Sequence, residues 1–242
     1  MRLDRLWPNR ERGFTGRVVA AGVVDPWFAA ELPREPQDEG DIWILDLEAG
    51  TARLEQPPPG LETLGELTLE PMLGCFGVAP PRGQAISCAT SGAYGGNMDY
   101  RGFRQGVTVY FPVFAEGALL HVGDGHALQG DGEIVGTGIE VSFDVEVSVR
   151  VLKGKEINWP RAENDEFVMA IGNARPLDQA LQHATTELLR LLKQDYGLDY
   201  RAGSVLLGQC IRYDVGNVYD PAYTVVAKIE KRLLSRERNR SA

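Results

Sequence analysis

Apolar and polar residues alternate most regularly between Ile139 and Gly154. Apolar side chains occupy every second position from Val141 to Val151, and charged or hydroxyl side chains fill the positions between them. Successive side chains of a strand point to opposite faces, so this pattern predicts a strand with one dry face, which is usual in antiparallel sheets. Glu140 opens the polar side of this strand, where a solvated surface residue is its simplest interpretation.

Shorter apolar stretches predict further strands. Residues Ile42–Leu47 and Thr51–Glu55 flank Ala49-Gly50 and predict a β-hairpin. Strands are also predicted within residues 66–71, 106–114, 117–123 and 221–231, and residues 2–13 predict a strand end that runs into a loop. Residues 71–84 are apolar but rich in glycine and proline, which predicts a buried segment without regular structure. Residues 33–41 predict a polar loop.

Helical periodicity is strongest in Pro176–Tyr196. Its apolar residues fall on one stripe, formed by Leu177, Ala180, Leu181, Ala184, Leu188, Leu191 and Leu192. This spacing predicts a long amphipathic helix, with Pro176 in its first turn and Gly197 as its C-terminal stop. His183 lies beside the stripe, so we interpret it as a helix-surface residue and not as a ligand. A shorter helix is predicted at Tyr200–Leu207.

These elements predict an α+β fold that is β-rich, with mainly antiparallel sheets, one long C-terminal helix and a short second helix. The run from Pro57 to Gly60 would break a helix or a central strand and predicts a stiff connector. We therefore expect a β-hairpin region at residues 1–56, packed on a β-rich main body at residues 61–242. The main body contains a helical hairpin near residues 176–208, and the two parts are expected to form one structural domain.

Composition narrows the classes of function. The chain has 242 residues, a formal net charge of −9 and a pI of about 5.0, so neither nucleic acid nor an anionic membrane is an expected partner. Three cysteines without a CxxC motif argue against a disulfide framework and predict a reducing, cytoplasmic location. No apolar run spans a bilayer, and the charged N-terminus does not resemble a secretory signal. The basic residues at 228–240 predict a solvated tail.

A cluster of ionisable residues lies between Tyr110 and Glu140. It contains Asp124, His126, Asp131, Glu133 and Glu140 among several glycines. Carboxylates this close in sequence resist burial together unless a cation neutralises them. Asp124 and His126 are two residues apart, so in an extended chain they would face the same point, as a divalent metal site requires. Asp131 and Glu133 repeat that spacing.

Turn chemistry offers a second interpretation of the same residues. Gly-Asp-Gly is a common turn sequence, and an isolated histidine is more often a hydrogen-bonded structural residue than a ligand. From the residues alone, a set of turns and a metal or catalytic site both remain open.

Five short motifs follow one another in a distinctive order. They are PMLGCFGVAP at 71–80, GGNMD at 95–99, FPV at 111–113, GALL at 117–120 and GDGHALQGDGE at 123–133. In order and spacing they resemble the acetamidase/formamidase family, and the similarity runs from about Arg2 to Leu234, including VYDPAYTVVAKI near the end. The resemblance implies a β-rich α+β fold, hydrolysis of short amides to ammonia and a carboxylate, a bound divalent metal and homo-oligomers of two or more copies.

Matching the motifs residue by residue implies a site. The implied metal ligands are Asp99, Asp124, His126 and Glu140, the implied catalytic residues are Glu133 and Asp131, and the implied substrate-binding residues are Gly95, Gly96, Asn97 and Gln129. Zinc is the favoured metal, calcium is the alternative, and no organic cofactor is expected. A bound divalent ion lowers the pKa of water towards ~7. Glu133 would accept the proton and pass it to the leaving amine, while backbone N–H groups near Gly95 would stabilise the oxyanion.

Two alternatives accompany this hypothesis. Cys75 or Cys88 could act as a nucleophile, although Cys75 lies in an apolar run, where burial raises the pKa of a thiol, and no histidine partner is evident. Members of the family also carry a longer N-terminal segment that contains a histidine, whereas this chain has none before His121. We therefore expect an oligomer that covers an exposed strand edge, and weaker activity than that of full-length relatives; the alternative is that this sequence is a fragment of a product that starts further upstream. The competing hypothesis is a catalytically silent, metal-stabilised β-rich domain that acts in binding or assembly.

Overall fold

The computed structural model describes residues 1–34 and 40–234. The middle of the predicted polar loop and the end of the predicted basic tail lie outside these residues. The strands are β1 Arg2–Pro8, β2 Arg12–Thr15, β3 Asp41–Asp46, β4 Thr51–Leu54, β5 Leu67–Thr68, β6 Met72–Gly77, β7 Ser91–Gly92, β8 Gly95–Asn97, β9 Thr108–Tyr110, β10 His121–His126, β11 Phe143–Ser148, β12 Arg161–Glu163, β13 Phe167–Ala174, β14 Arg212–Asn217 and β15 Tyr223–Glu230. The α-helices are α1 Leu177–Tyr196 and α2 Tyr200–Cys210, and short 3-10 helices lie at Ala21–Val23, Phe28–Ala30, Pro81–Gly83 and Lys231–Leu233.

The largest sheet has seven antiparallel strands in the order β11-β1-β9-β12-β13-β15-β14. Both of its faces are covered around β13, which explains why this strand is apolar almost throughout. Met169 and Ile171 of β13 enter one core, whereas Val168 and Ala170 enter the core under α1. The helix approaches so closely that a side chain at Gly172 would overlap the backbone of α1. These contacts fix α1 on the sheet through buried apolar area.

Two four-stranded antiparallel sheets complete the architecture, in the orders β10-β6-β8-β7 and β2-β3-β4-β5. Both strands of the predicted hairpin are present as β3 and β4. The prediction that residues 71–84 lack regular structure was wrong for Met72–Gly77. This segment is a strand buried at every position and paired with β10 and β8. A strand buried on both faces shows no alternation, so its apolar run was misread.

The alternating segment forms a shorter strand than its pattern predicts. Only Phe143–Ser148 belongs to β11, because its ladder with β1 ends at the pair of Arg2 and Ser148. Beyond that pair, Val149 and Val151 are exposed. The strand predicted within residues 106–114 is also shorter than expected. It forms β9, which ends at Tyr110, shortly before Pro112, because proline has no N–H to donate to a neighbouring strand.

Both helices are confirmed, and α2 extends to Cys210, beyond its predicted end. Pro176 precedes the first turn of α1, and Gly197 has the left-handed conformation that ends it. His183 stacks on Trp159, with 4.2 Å between the ring centroids. The β-rich α+β class with mainly antiparallel sheets is thus confirmed, while the division at residues 56–61 stays a prediction. Neither helix in the described residues is both long and apolar enough to cross a membrane.

Candidate metal centre

Five carboxylates and one imidazole converge where β6, β8 and β10 meet. Asp99 follows β8, and Asp124 and His126 lie in β10. Glu133 lies in the turn after β10, Glu140 pairs with Phe14 and His126 in isolated β-bridges, and Asp220 lies between β14 and β15. Two sets of three ligand atoms each lie within 4.8 Å of one another: Asp99, His126 and Glu133 form one set, and Asp124, His126 and Glu140 form the other. His126 is therefore at the centre of the site.

Gly74 makes room for two of these acids. It lies in the buried strand β6, opposite Asp124 of β10, between the paired positions Cys75–Gly123 and Leu73–Gly125. A Cβ at this position would overlap carboxylate oxygens of both Asp99 and Asp124. The Gly74 carbonyl also accepts hydrogen bonds from the backbone N–H groups of Met98 and Asp99, at 3.0 and 3.2 Å. Because Gly74 has no side chain, the carboxylates of Asp99 and Asp124 can both lie against the backbone of β6.

The orientation of His126 is fixed by Gln129. The Gln129 Nε2 donates to the carbonyls of Asp99 (2.5 Å) and Gly216 (3.4 Å), so its Oε1 faces His126. That oxygen lies 2.7 Å from His126 Nδ1 and can only accept, which places a proton on Nδ1. The Nε2 atom then points at the acids, 3.3 Å from Asp124 Oδ1 and 2.9 Å from Glu140 Oε1. This is the arrangement by which proteins orient a metal-binding histidine.

Asn217 and Asp220, which the sequence analysis did not predict, complete the cluster. Asn217 Nδ2 lies within donor distance of Asp99 Oδ2 (2.7 Å), Glu133 Oε2 (2.7 Å) and Asp220 Oδ2 (2.8 Å). Asn97 Nδ2 lies 2.7 Å from Asp99 and 2.5 Å from Asp220. The signal for Asn217 and Asp220 was the polar turn GNVYD beside the last strand. Their sequence distance from the other acids concealed the contact.

Three acids of the cluster have left-handed backbone conformations. The φ angles are 42° at Asp99, 67° at Asp124 and 50° at Glu133. Such conformations are uncommon for residues other than glycine and are concentrated at functional sites. The surrounding sheets hold these side chains in a fixed arrangement at a cost in backbone energy.

Burial and mutual repulsion shift the protonation of the acids. Burial, followed by the charges of Glu133 and Asp124, raises the pKa of Asp99 well above its usual range. Burial also raises the pKa of Glu133 to about 8, and it raises the pKa values of Glu140 and Asp220. Low polarity and neighbouring like charges both favour the neutral form of a carboxyl group.

His126 and Asp124 shift in the directions expected of an ion pair. Burial lowers the pKa of His126, but its hydrogen bonds and charge interactions with Asp124 and Glu140 outweigh burial and raise that pKa well above the usual range. For Asp124, burial favours the neutral form, yet the hydrogen bond and charge of His126 lower its pKa overall. Among the described residues, His126 is the one basic side chain in an ion pair with these acids.

The donor set fits a divalent cation. The Oδ1 atom of Asp99 is buried and has no hydrogen-bond partner among the described residues. A buried carboxylate oxygen without a partner is costly unless a cation or proton neutralises it. Five carboxylates facing one imidazole leave an excess of negative charge, which a divalent ion would reduce.

Other predicted site residues lie elsewhere. Asp131 is outside the cluster, with a side chain that is 66% exposed and an oxygen 3.6 Å from Arg101. The expected same-side geometry of Asp131 and Glu133 is not adopted, because Gly132 and Glu133 both have positive φ and form a turn. Gly95 and Gly96 lie in β8 between β6 and β7. Their roles as substrate-binding residues stay predictions.

The two cysteines near the site differ in environment. Cys75 is buried, and burial, followed by the charges of Asp124 and Asp99, raises the pKa of its thiol to about 12. Such a thiol is a poor nucleophile at neutral pH. Cys88 is exposed, and its carbonyl lies 3.6 Å from Cys75 Sγ.

Comparison with known proteins gives consistent matches. The model of the acetamidase/formamidase family matches residues 77–183. An acetamidase from Mycolicibacterium smegmatis is 46% identical over 84 residues, which is 34% of this chain and 20% of that protein. A formamidase from Methylophilus methylotrophus is 41% identical over 146 residues, which is 57% of this chain and 34% of that protein. The aligned region of this chain thus spans about a third or less of these curated relatives.

A crystal structure extends the similarity to nearly the whole chain. The acetamidase from Yersinia enterocolitica superposes with a TM-score of 0.83 and is 31% identical; the match covers 97% of this chain and 69% of that one. Sequence motifs, fold and structural similarity agree, and this chain belongs to the acetamidase/formamidase family.

Proposed function

We propose that this chain is a metal-dependent hydrolase that converts short aliphatic amides to ammonia and a carboxylate. The observation that carries this proposal is the cluster of five carboxylates beside the buried His126, three of them buried, with one oxygen of Asp99 unpaired. The family of the chain and the names of its relatives, acetamidase and formamidase, support the choice of substrate class. The site would take a small, uncharged amide.

The ligand types favour zinc over calcium. Asp124, Glu140 and Asp99 offer hard oxygen ligands, and His126 offers the lone pair of Nε2, since Gln129 engages Nδ1. Calcium takes oxygen ligands almost throughout, whereas imidazole suits zinc and other transition metals. When bound, a divalent ion polarises a carbonyl group and makes water more acidic.

We assign proton transfer to Glu133. In the metal-free chain burial raises the pKa of Glu133 to about 8, and a bound cation would lower it towards the range in which a carboxylate accepts a proton at neutral pH. Asn217 holds its Oε2 at 2.7 Å and so fixes the direction of the carboxylate. The exposed Asp131, which pairs with Arg101, is not part of this step. Gln129 contacts His126 and two backbone carbonyls, so we propose that it positions this ligand and does not bind substrate.

Metal analysis and an ammonia-release assay test the proposal together. Protein purified without chelator should contain close to one equivalent of divalent metal and release ammonia from formamide or acetamide. The double variant Asp124→Asn, His126→Ala should lose both the metal and the activity. Asp131→Asn is the matched control, because it removes a nearby carboxylate that lies outside the cluster, and it should retain both properties.

The combined results distinguish the metal-dependent hydrolase from the catalytically silent domain, and Glu133 from Asp131 as the catalytic carboxylate. Metal binding without hydrolysis of any short amide would favour the silent, metal-stabilised binding or assembly domain. Metal-free protein with ordered, protonated acids at this site would refute the metal centre. Loss of activity in Asp131→Asn, with metal retained, would return the catalytic role to Asp131.

We further propose that the protein is cytoplasmic and assembles with copies of itself. The free state of Cys75, Cys88 and Cys210 supports a reducing compartment. Exposed apolar side chains such as Val113, at 58%, and Leu119, at 66%, support an interface. Light scattering of the purified chain tests the assembly, and a monodisperse monomer would refute it.

A further inference from the structure

A cleft of about 670 Å³ opens beside the candidate metal centre. Asp124 and Glu140 line it, together with Leu73 of the buried strand β6. One of the two ligand sets therefore faces this space, because Asp124 and Glu140 are the acids that contact His126 Nε2. A molecule in the cleft would lie next to these acids.

Arg10, Arg12 and Ser142 also line the cleft, and most of its other side chains are apolar. Its apolar wall is formed by Phe14, Val122, Phe143, Val145 and Val147. The last three are the inward side chains of β11, whose period of two places them on the same face. Phe14 is 49% exposed and Val122 is 38% exposed, so this wall offers apolar surface that a ligand could cover.

Phe143 links the apolar wall to the acids. Its ring lies directly against Gly125, the residue between Asp124 and His126, and a side chain at Gly125 would overlap the ring. The apolar surface therefore begins beside the carboxylates and continues along β11 through Val145 and Val147. A substrate with its amide group at the acids would direct its acyl chain along this wall.

We propose that this cleft is an acyl subsite, so that the enzyme prefers amides with an apolar acyl chain of several carbons, and that Phe143 and Val145 determine this specificity. The inference rests on the proposed amide hydrolysis and deepens it. Sites that enclose drug-sized ligands have volumes of roughly 300–1,000 Å³. The volume of the cleft falls in this range, and formamide or acetamide would fill only a small part of it.

The first test is a homologous series of primary amides from formamide to hexanamide. The value of kcat/KM should rise about fourfold for each added methylene until the wall is covered. Val145→Trp would fill the cleft and should lower the ratio of kcat/KM for hexanamide to that for formamide at least tenfold. Val122→Trp makes the corresponding change in β10, at a partly exposed position, and should also lower the ratio of kcat/KM for hexanamide to that for formamide. Val205→Trp, on the exposed face of α2, is the matched control and should leave the ratio unchanged.

The second test measures binding without turnover. Saturation-transfer NMR on chelator-treated protein should show hexanamide binding more tightly than acetamide, and Val122→Trp should reduce that difference. Hydrolysis of formamide and acetamide with no dependence on chain length would overturn the acyl subsite and leave the proposed function intact. Binding that depends on chain length, without hydrolysis of any amide, would support the apolar subsite and refute the hydrolase. Equal binding of both amides would overturn the inference.

Discussion

The buried charge of Glu133 should make the metal-free protein less stable as the pH rises. The pKa of this group is about 8 in the folded chain, compared with a usual value of 4.5. The folded state therefore holds its proton over a range in which the unfolded chain has already lost it. The free energy of unfolding is fully maintained below about pH 4.5, falls between pH 4.5 and 8, and stays low above pH 8.

The magnitude follows from the linkage between pKa and stability. Each pKa unit corresponds to about 1.36 kcal/mol, so a change from pH 5.5 to pH 8.5 should cost metal-free protein about 3 kcal/mol at Glu133. The raised pKa values of Asp99, Glu140 and His126 act in the same direction. Because one kcal/mol changes the melting temperature of a domain this size by about 2–4 °C, the melting temperature should fall by about 10 °C.

Urea unfolding and thermal melting of chelator-treated protein at both pH values measure this effect. Glu133→Gln removes the charge and keeps an oxygen that can accept from Asn217, so its stability should depend less on pH. Glu116→Gln, a change at an exposed acid, should behave like the wild type. Added zinc should raise the melting temperature of the wild type more at pH 8.5 than at pH 5.5, because the ion neutralises the ionised acids. If metal-free wild type is equally stable at both pH values, the reasoning about buried charge is refuted.

Three further predictions address the packing of the centre, the orientation of its histidine, and a buried ion pair between β12 and α1. Gly74→Ala would place a methyl group against two carboxylates and should reduce both bound metal and melting temperature, whereas Gly65→Ala, where a Cβ meets nothing within 4 Å, should change neither. Gln129→Leu removes the acceptor for His126 Nδ1 and should weaken metal binding about 10–100-fold in a chelator competition assay; Gln129→Glu, which keeps an acceptor oxygen, should lose less. Arg161→Met leaves the buried carboxylate of Glu187 without its 2.6 Å partner and should destabilise the fold by about 3–5 kcal/mol in urea unfolding, while the exposed pair tested by Arg5→Met should change stability by less than about 1 kcal/mol.

Local patterns in the sequence predicted much of the secondary structure. The two helices follow from the spacing of apolar residues and from Pro176 and Gly197 at the ends of α1. The hairpin at β3 and β4 follows from two apolar stretches around Ala49-Gly50. These features depend on residues close together in the chain, which is why periodicity and turn chemistry suffice to predict them.

Tertiary pairing decided the segments whose patterns were ambiguous. Met72–Gly77 has no alternation, and only its position between β10 and β8 makes it a strand. The alternating pattern continues past Ser148, but the strand ends where its partner β1 ends. A strand needs a neighbouring strand whose backbone groups are free to form hydrogen bonds, and one sequence alone does not identify that neighbour.

The sequence by itself determined that Asp124 and His126 lie near each other, because two residues of a strand share a face. It also placed Glu133 and Glu140 shortly after them in the chain, Glu133 in a turn and Glu140 at the start of the alternating strand pattern. Only the tertiary structure brought Asn217 and Asp220 to the same centre from the far end of the chain and turned Asp131 towards Arg101. The physical reason is that spacing fixes the direction of side chains within an element, whereas the contact between distant segments depends on how the sheets pair and pack.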